Sequence, residues 1–429
     1  MISIVKSFLN LLPLRGKVGM GLLLIACSAF ADIPPITNDA APEGMKNNAL
    51  GIVKNINCGW NLGNQLESLN DRTKKKLTVN EMEEGWGNPR ITPEMIKAVK
   101  AAGFNAIRIP VRWYPHCDKN FDVDPAWMKR VHEVVDYAYN EGMYVMLNTH
   151  HDAWYDRWRP DHLPVAEVNR RMGHLWTQIA NEFKDYDERL IFAGVNEMIN
   201  QSLDGVNDFN NEPSIEDVQV LQGLYQEFIN AVRATGGNNK WRVLCVASWA
   251  ANPYFALKFF RKPYDVVPDR LMLEVHYYQP WFFCAQTNGE EGPNKNQYFW
   301  GTPYEGQPCH SNTQREVHSL FGKLKAEFID KGLPIVLGEY GAVHHNPTKE
   351  NAKWNIDFKK CEESRAYYMR YIVREAKNYG FTSFYWDNNY YGGDEENFAI
   401  FDRHHGMKVY DQATLDAIML GAAEGEFPF

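Results

Sequence analysis

Two glutamates follow short apolar runs. Leu190 to Val195 leads into Asn196-Glu197, and "PIVLGEY" (334–340) carries Glu339 near its end. Two carboxylates flanking one bond are the minimum equipment for hydrolysing a glycoside. One must stay protonated to donate to the leaving oxygen, and the other must be ionised to attack or to activate water. Arg108, inside "FNAIRIP" (104–110), can hold one acid ionised, while the other, with fewer cations nearby, keeps a raised pKa. Each residue taken alone has a plainer reading. A glutamate at a strand end is usually solvated, and an arginine on a strand often serves a structural ion pair. His150-His151-Asp152 reads either as a turn or as metal ligands. A metal-dependent barrel hydrolase would carry His-x-His on its first strand, and "NCGWNLG" (57–63) has none. No metal and no cofactor is expected.

What gives these residues joint meaning is the element pattern that must position them. "FNAIRIP", "YVMLNTH" (144–150), "LIFAGVNE" (190–197), "RVLCVAS" (242–248), "LMLEVHY" (271–277), "PIVLGEY" and "TSFYWDN" (382–388) are apolar runs ending in polar residues. "NCGWNLG" is a weaker eighth. Continuous apolar strands belong to a parallel sheet buried on both faces. Helix signals fall between them. Thr92-Pro93 and Asp124-Pro125 are N-caps followed by proline at the first helical position, and Gly103 and Gly142 stand where those helices close. Trp127, Val131, Val134, Val135 and Ala138 share one face of the second helix. Eight such units predict an α/β fold, a single-domain (β/α)8 TIM barrel. The rival doubly wound sheet lacks a GxGxxG turn after an early strand. A barrel brings every strand's C-terminal end to one face, so Asn61, Arg108, His150, Asn196, Glu197, His276, Tyr278, Glu339 and Trp386 should converge there.

The 429 residues are 45% hydrophobic and 23% charged, with net charge -9. Ample core is available, and no basic run is long enough for nucleic acid; Lys74-Lys75-Lys76 reads as a solvated loop. The 13 tryptophans suit a large core or flat apolar ligands such as sugar rings. Trp154, Trp158, Trp281 and Trp300 fall in rim loops, where they would serve equally as outer sugar platforms or as packing. Residues 1–31 read as a secretory signal: Lys6, Arg15 and Lys17 precede an apolar run, Val18 to Phe30. Cleavage after Ala31 and lipid attachment at Cys27, within a lipobox-like Leu24-Ile25-Ala26-Cys27, are equally compatible. Residues 32–45 read as a linker and 46–429 as the catalytic domain. Export permits disulfides, and Cys284 with Cys309 is the pair to test first, whereas Cys58 and Cys245 read as buried thiols. His344-His345 and His404-His405 read as surface pairs.

The sequence resembles glycoside hydrolase family 5, most closely its fourth-subfamily-like endoglucanases and xyloglucanases. "GWNLGNQLES" (59–68), "WGNP" (86–89), "GFNAIRIPVRW" (103–113), "VMLNTHHD" (145–152), "LIFAGVNEM" (190–198), "EVHYYQPW" (274–281), "PIVLGEYGA" (334–342) and "FYWDN" (384–388) carry the resemblance in the family's order. It implies retention through a covalent glycosyl-enzyme, with Glu197 as acid/base and Glu339 as nucleophile. Arg108 and Tyr278 would bond the nucleophile, and Asn196, His150, His151 and His276 would bind the same sugar. Trp386 would form its floor, and Asn61 and Asn64 would line the same or the adjoining subsite. The expected activity is endo-β-1,4-glucanase on a polysaccharide partner, by a monomer. Xyloglucan, mannan, xylan or mixed-linkage glucan are alternative substrates, and a surface glycan-binding protein is the non-enzyme alternative. Ala193, Met198 and Glu67 depart from the family's usual residues, which points to a different loop after strand four.

Overall fold

The computed structural model describes residues 37–69, 78–152, 163–199, 209, 211–285, 297–345, 356–391 and 397–429. Eight parallel strands close into a barrel, each hydrogen-bonded to its neighbours in sequence. They are β1 (Gly59–Leu62), β2 (Ala106–Ile109), β3 (Tyr144–Asn148), β4 (Leu190–Ala193), β5 (Leu244–Ala247), β6 (Leu271–Tyr277), β7 (Ile335–Tyr340) and β8 (Phe381–Asp387). A longer helix follows each strand, for example Pro93–Ala101 after β1 and Phe358–Asn378 after β7. The expected caps form: Thr92 accepts from the Met95 amide, and Asp124 accepts from that of Ala126. Where the first of these helices turns back, Gly103 has φ +111°, and a Cβ there would come within 2.6 Å of Met419 Sδ. All five residues predicted for the inner face of the Pro125–Asn140 helix are buried.

Strand periodicity divides the core in two. On β6, Leu271, Leu273, Val275 and Tyr277 pack outward against the helices, while Met272 joins the barrel interior. The same two-residue period turns Glu274 and His276 inward, one layer above the other. Ala106, Met146, Ile191, Ala193, Val243, Cys245, Val336 and Phe384 fill the lower interior. The helix Ala49–Asn55 closes it from below with Ile52 and Val53, and Asn48 caps that helix by accepting from the Gly51 amide at 3.0 Å. Burying such a side chain is worth about 1.5–3 kcal/mol. Seven residues, mostly apolar throughout, show no helical period, so this plug was not legible in the sequence.

The boundary of the expected linker shifts as well. Ala41 and Met45 are buried, and the carbonyls of Met45 and Asn47 accept from Arg270. The segment is therefore packed against the barrel base well before residue 46. The reason is that backbone carbonyls, invisible to composition, pair with a buried guanidinium.

Candidate active site

Strand alternation alone would point Glu339 the wrong way. Val336 faces the interior and Leu337 the helices, so Gly338 should face in and Glu339 out. The pairing breaks this rule: Val275 pairs with Leu337 but His276 with Glu339, leaving β7 one residue longer. The other edge of β7 shows the same shift, between Ser383 and Tyr385 of β8. A bulge of this kind re-aims the next side chain, and Glu339 turns into the barrel mouth.

There it meets a network. Arg108 NH1 donates to Glu339 Oε1 at 2.9 Å and to Asn61 Oδ1 at 3.0 Å, and NH2 donates to Asn196 Oδ1 at 2.5 Å. Tyr278 donates its hydroxyl to Glu339 Oε2 at 3.1 Å. His276 Nδ1 lies 2.5 Å from Glu197 Oε1 and 3.5 Å from Glu339 Oε2, and its Nε2 lies 3.1 Å from Glu274 Oε1. Arg108 NH2 is also 2.9 Å from Glu274 Oε1. One carboxylate oxygen each of Glu197 and Glu339, together with a nitrogen of His276, all lie within 4.8 Å of one another. Metal ligands can show that spacing too. The charge pattern opposes a cation, because both nitrogens of His276 already face carboxylates and Arg108 lies against Glu339.

Electrostatics in this buried pocket are strong. Burial works against the charge of His276, but Glu339, Glu197 and Glu274 raise its pKa to about 10. Burial also opposes ionisation of Glu197, yet the His276 charge and hydrogen bond hold it below the ordinary carboxylate range. Glu339 is raised, by burial first and by its acidic neighbours next, against the pull of His276 and Arg108. Burial pushes His150 well below the ordinary histidine value and His151 to about 4, so both rings are neutral near pH 7.

His150 stacks nearly parallel to Trp386, with centroids 5.9 Å apart and an interplanar angle of 8°, and is held between Asn148 and Asn196. Trp386 is the partly exposed face of this stack. The result is a cleft with two adjacent acids, a flat aromatic floor and neutral histidines. It suits an uncharged ring rich in hydroxyls.

The family model for cellulase (glycosyl hydrolase family 5) matches residues 70–392. The chain belongs to glycosyl hydrolase family 5. It is 35% identical to endoglucanase A of Paenibacillus barcinonensis, over 94% of this chain and 97% of that protein. Among solved structures, a family 5 xyloglucan-specific β-1,4-glucanase from a ruminal metagenomic library, in complex with XXLG, superposes with a TM-score of 0.78 at 34% identity. The match covers 89% of this chain and 98% of that one. A mutant of a family 5 lichenase from Caldicellulosiruptor sp. F32, in complex with cellotetraose, gives 0.75 at 32% identity, covering 91% and 99%.

Against this family 5 frame, several expectations change. Asn61 does not present its amide to the cleft: it is fully buried, and Nδ2 donates to the carbonyls of Gly338, Phe384 and Tyr385. Asn61 is a brace beneath Arg108. Asn64 stands at the mouth with φ 60°, and Glu67 holds that turn by accepting from the Asn64 and Gln65 amides. Ala193 is a wall residue of the lower interior, and Met198 is buried while its carbonyl accepts from Ala250. Neither is exposed on the rim. Trp281 is 54% exposed, as a platform requires, whereas Trp300 is fully buried against Tyr368 and Tyr371. Trp154, Trp158 and Cys27 lie outside the described residues.

The proposed disulfide does not form. Cys284 and Cys309 are both free, the first packed in the main core and the second in a satellite with Tyr298 and Cys361. Cys58 and Cys245 are buried thiols, as expected. His344-His345 is not a surface pair: His345 is buried against Tyr298, and His344 joins Glu362, Arg365 and Asp411. His404 and His405 are exposed.

Sequence reasoning missed Glu274, the third acid around His276. Its one signal is its spacing, two residues before His276 on the same strand and so on the same face.

Proposed function

We propose that this family 5 chain is a retaining endo-β-1,4-glucanase acting on internal bonds of β-glucan. The observation that carries the reading is the separation of the two acids. Carboxylate oxygens of Glu197 and Glu339 within 4.8 Å leave no space for the water that an inverting enzyme places between substrate and base. Glu339 attacks the anomeric carbon, and the bond to the leaving oxygen breaks as Glu197 delivers a proton to it. Water, deprotonated by Glu197, then releases the sugar from the Glu339 ester. Arg108 and Tyr278 aim Glu339 by hydrogen bonds and favour its ionised form, against the burial that raises its pKa. Asn196 meets the hydroxyl beside the reacting carbon, His150, His151 and His276 meet neighbouring hydroxyls, and Trp386 supports the ring.

Replacing Glu339 with Ala should lower kcat by at least about 10⁴-fold with folding intact. Proton NMR of the first-formed reducing end should show retained configuration, and an inverted product would overturn the mechanism. For substrate, we place cellulosic β-glucan first. Xyloglucan is the second reading, favoured by the similarity to the xyloglucan-specific structure. Reducing-end assays over cellulose, xyloglucan, lichenan, xylan and mannan decide between them. We also propose export by residues 1–31, with either a free chain starting near Asp32 or a lipid on Cys27. Mass spectrometry of the mature protein distinguishes the two.

A further inference from the structure

Glu274 is wholly buried on β6, and its polar contacts among the described residues face the catalytic apparatus or its support. Oε1 lies 2.9 Å from Arg108 NH2 and 3.1 Å from His276 Nε2, and Oε2 accepts from the Cys245 thiol at 3.8 Å. Space for it is made by the bulge residue: a Cβ on Gly338 would sit 2.0 Å from Glu274 Oε1. Burying a carboxylate is costly unless it is fully partnered. This one is placed where its absence would free both Arg108 and His276.

The consequence lies in the protons of His276. Nε2 faces Glu274, and Nδ1 faces Glu197 Oε1 at 2.5 Å. An ionised carboxylate can only accept, so Nε2 must carry hydrogen. Nδ1 then has two options. It donates to an ionised Glu197, or, bare, it accepts from a protonated Glu197. Both keep one proton between ring and acid. We propose that Glu274 is a positioning residue that locks His276 with Nε2 protonated, so that the Nδ1–Glu197 pair always holds the proton used in the acid step. This rests on the reading of Glu197 as the acid. Without Glu274 the ring can turn to the other neutral form, with Nε2 bare and its only proton on Nδ1. Surrendering that proton would make an imidazolate, so the reserve is lost. The groups facing His276 agree. Glu197 beyond β4, Glu274 on β6 and Glu339 on β7 are acids. Arg108 on β2 is the nearby cation, and His150 and His151 beyond β3 are neutral. The neutral hydroxyl of Tyr278 and thiol of Cys245 complete the surroundings.

Glu274→Gln keeps the shape and removes the charge. The alkaline limb of kcat/KM should move to lower pH by about one unit. At pH 7, activity on polysaccharide should fall about tenfold, while aryl glycosides with good leaving groups, which need no acid, lose less than about threefold. An unmoved alkaline limb, or equal losses on both substrates, overturns the proposal. Should the variant not fold, neutron diffraction of the unaltered protein decides: a deuteron on His276 Nε2 supports the lock, and a bare Nε2 overturns it. Glu197→Ala tests the underlying assignment separately, because loss that ignores leaving-group quality there would remove Glu197 as the acid whatever Glu274 does.

Discussion

Two arginines are equally buried, one at the mouth of the barrel and one at its base. Arg108 bonds carboxylates and amides: Glu339, Glu274, Asn61 and Asn196. Arg242 bonds the backbone. Its NH1 and NH2 donate to the carbonyls of Phe183, Tyr186, Asp187 and Leu190, and Nε donates to Asn239 Oδ1. Both have their donors largely occupied, but only Arg108 has its charge balanced. Burial lowers both; the acids around Arg108 more than compensate, whereas Arg242 falls to about 9. Carbonyl dipoles fill hydrogen-bonding capacity without cancelling a unit charge. The base therefore uses a guanidinium as a five-pronged staple, and the mouth uses one as an electrostatic instrument.

That contrast can be broken experimentally, most severely at the mouth. Arg108→Lys keeps the charge but cannot bridge two acids and two amides, so kcat should fall by about 10²–10³-fold. Steady-state kinetics that show less than a tenfold loss would erase the distinction. Arg242→Met should do the reverse. Urea unfolding should show a loss of about 3 kcal/mol from the abandoned carbonyls, with kcat at 25 °C within about twofold of the parent. Gly338→Ala tests how tightly the mouth is packed. Its Cβ collides with Glu274, so a loss of about 1–3 kcal/mol is expected, and Glu274→Ala in the same chain should recover part of it.

The smallest effect is a matter of pH. His276 has a folded value of about 10, above the ordinary 6.5. Its contribution to stability is therefore complete below pH 6.5 and is lost as pH rises through about 10. The stability advantage of the parent over His276→Asn, measured by urea titration, should be larger at pH 6 than at pH 9. Arg242, lowered rather than raised, should give no such decline over that interval.

Much of the mouth was legible because each barrel strand runs apolar and then stops at a polar residue, as at Asn196-Glu197. The caps at Thr92 and Asp124 were equally plain. What escaped was whatever depends on facing rather than on type. Glu274 hides mid-strand because its two apolar neighbours point outward, making "LMLEVHY" look uniformly buried. Asn61 reads as a sugar partner by motif, yet three carbonyls and Arg108 consume its amide. Trp300 and Trp281 are the same residue type in the one connection between β6 and β7, and only packing separates a core ring from an exposed one. Cysteine spacing likewise says nothing of which cluster each thiol joins.

The bulge on β7 makes the direction of Glu339, the proposed nucleophile, a matter of counting. One surplus residue converts a strand of two-step parity into one whose fifth position looks where an even position should. Flattening the bulge, so that Gly338 took a regular place in the ladder, would restore the parity and swing Glu339 toward the helices, with no acid lost from the chain. The direction of this acid is written partly in reading frame, in the arithmetic of strand length. An alignment that slips by one across this turn would match every letter of the motif nearby and still misplace its chemistry.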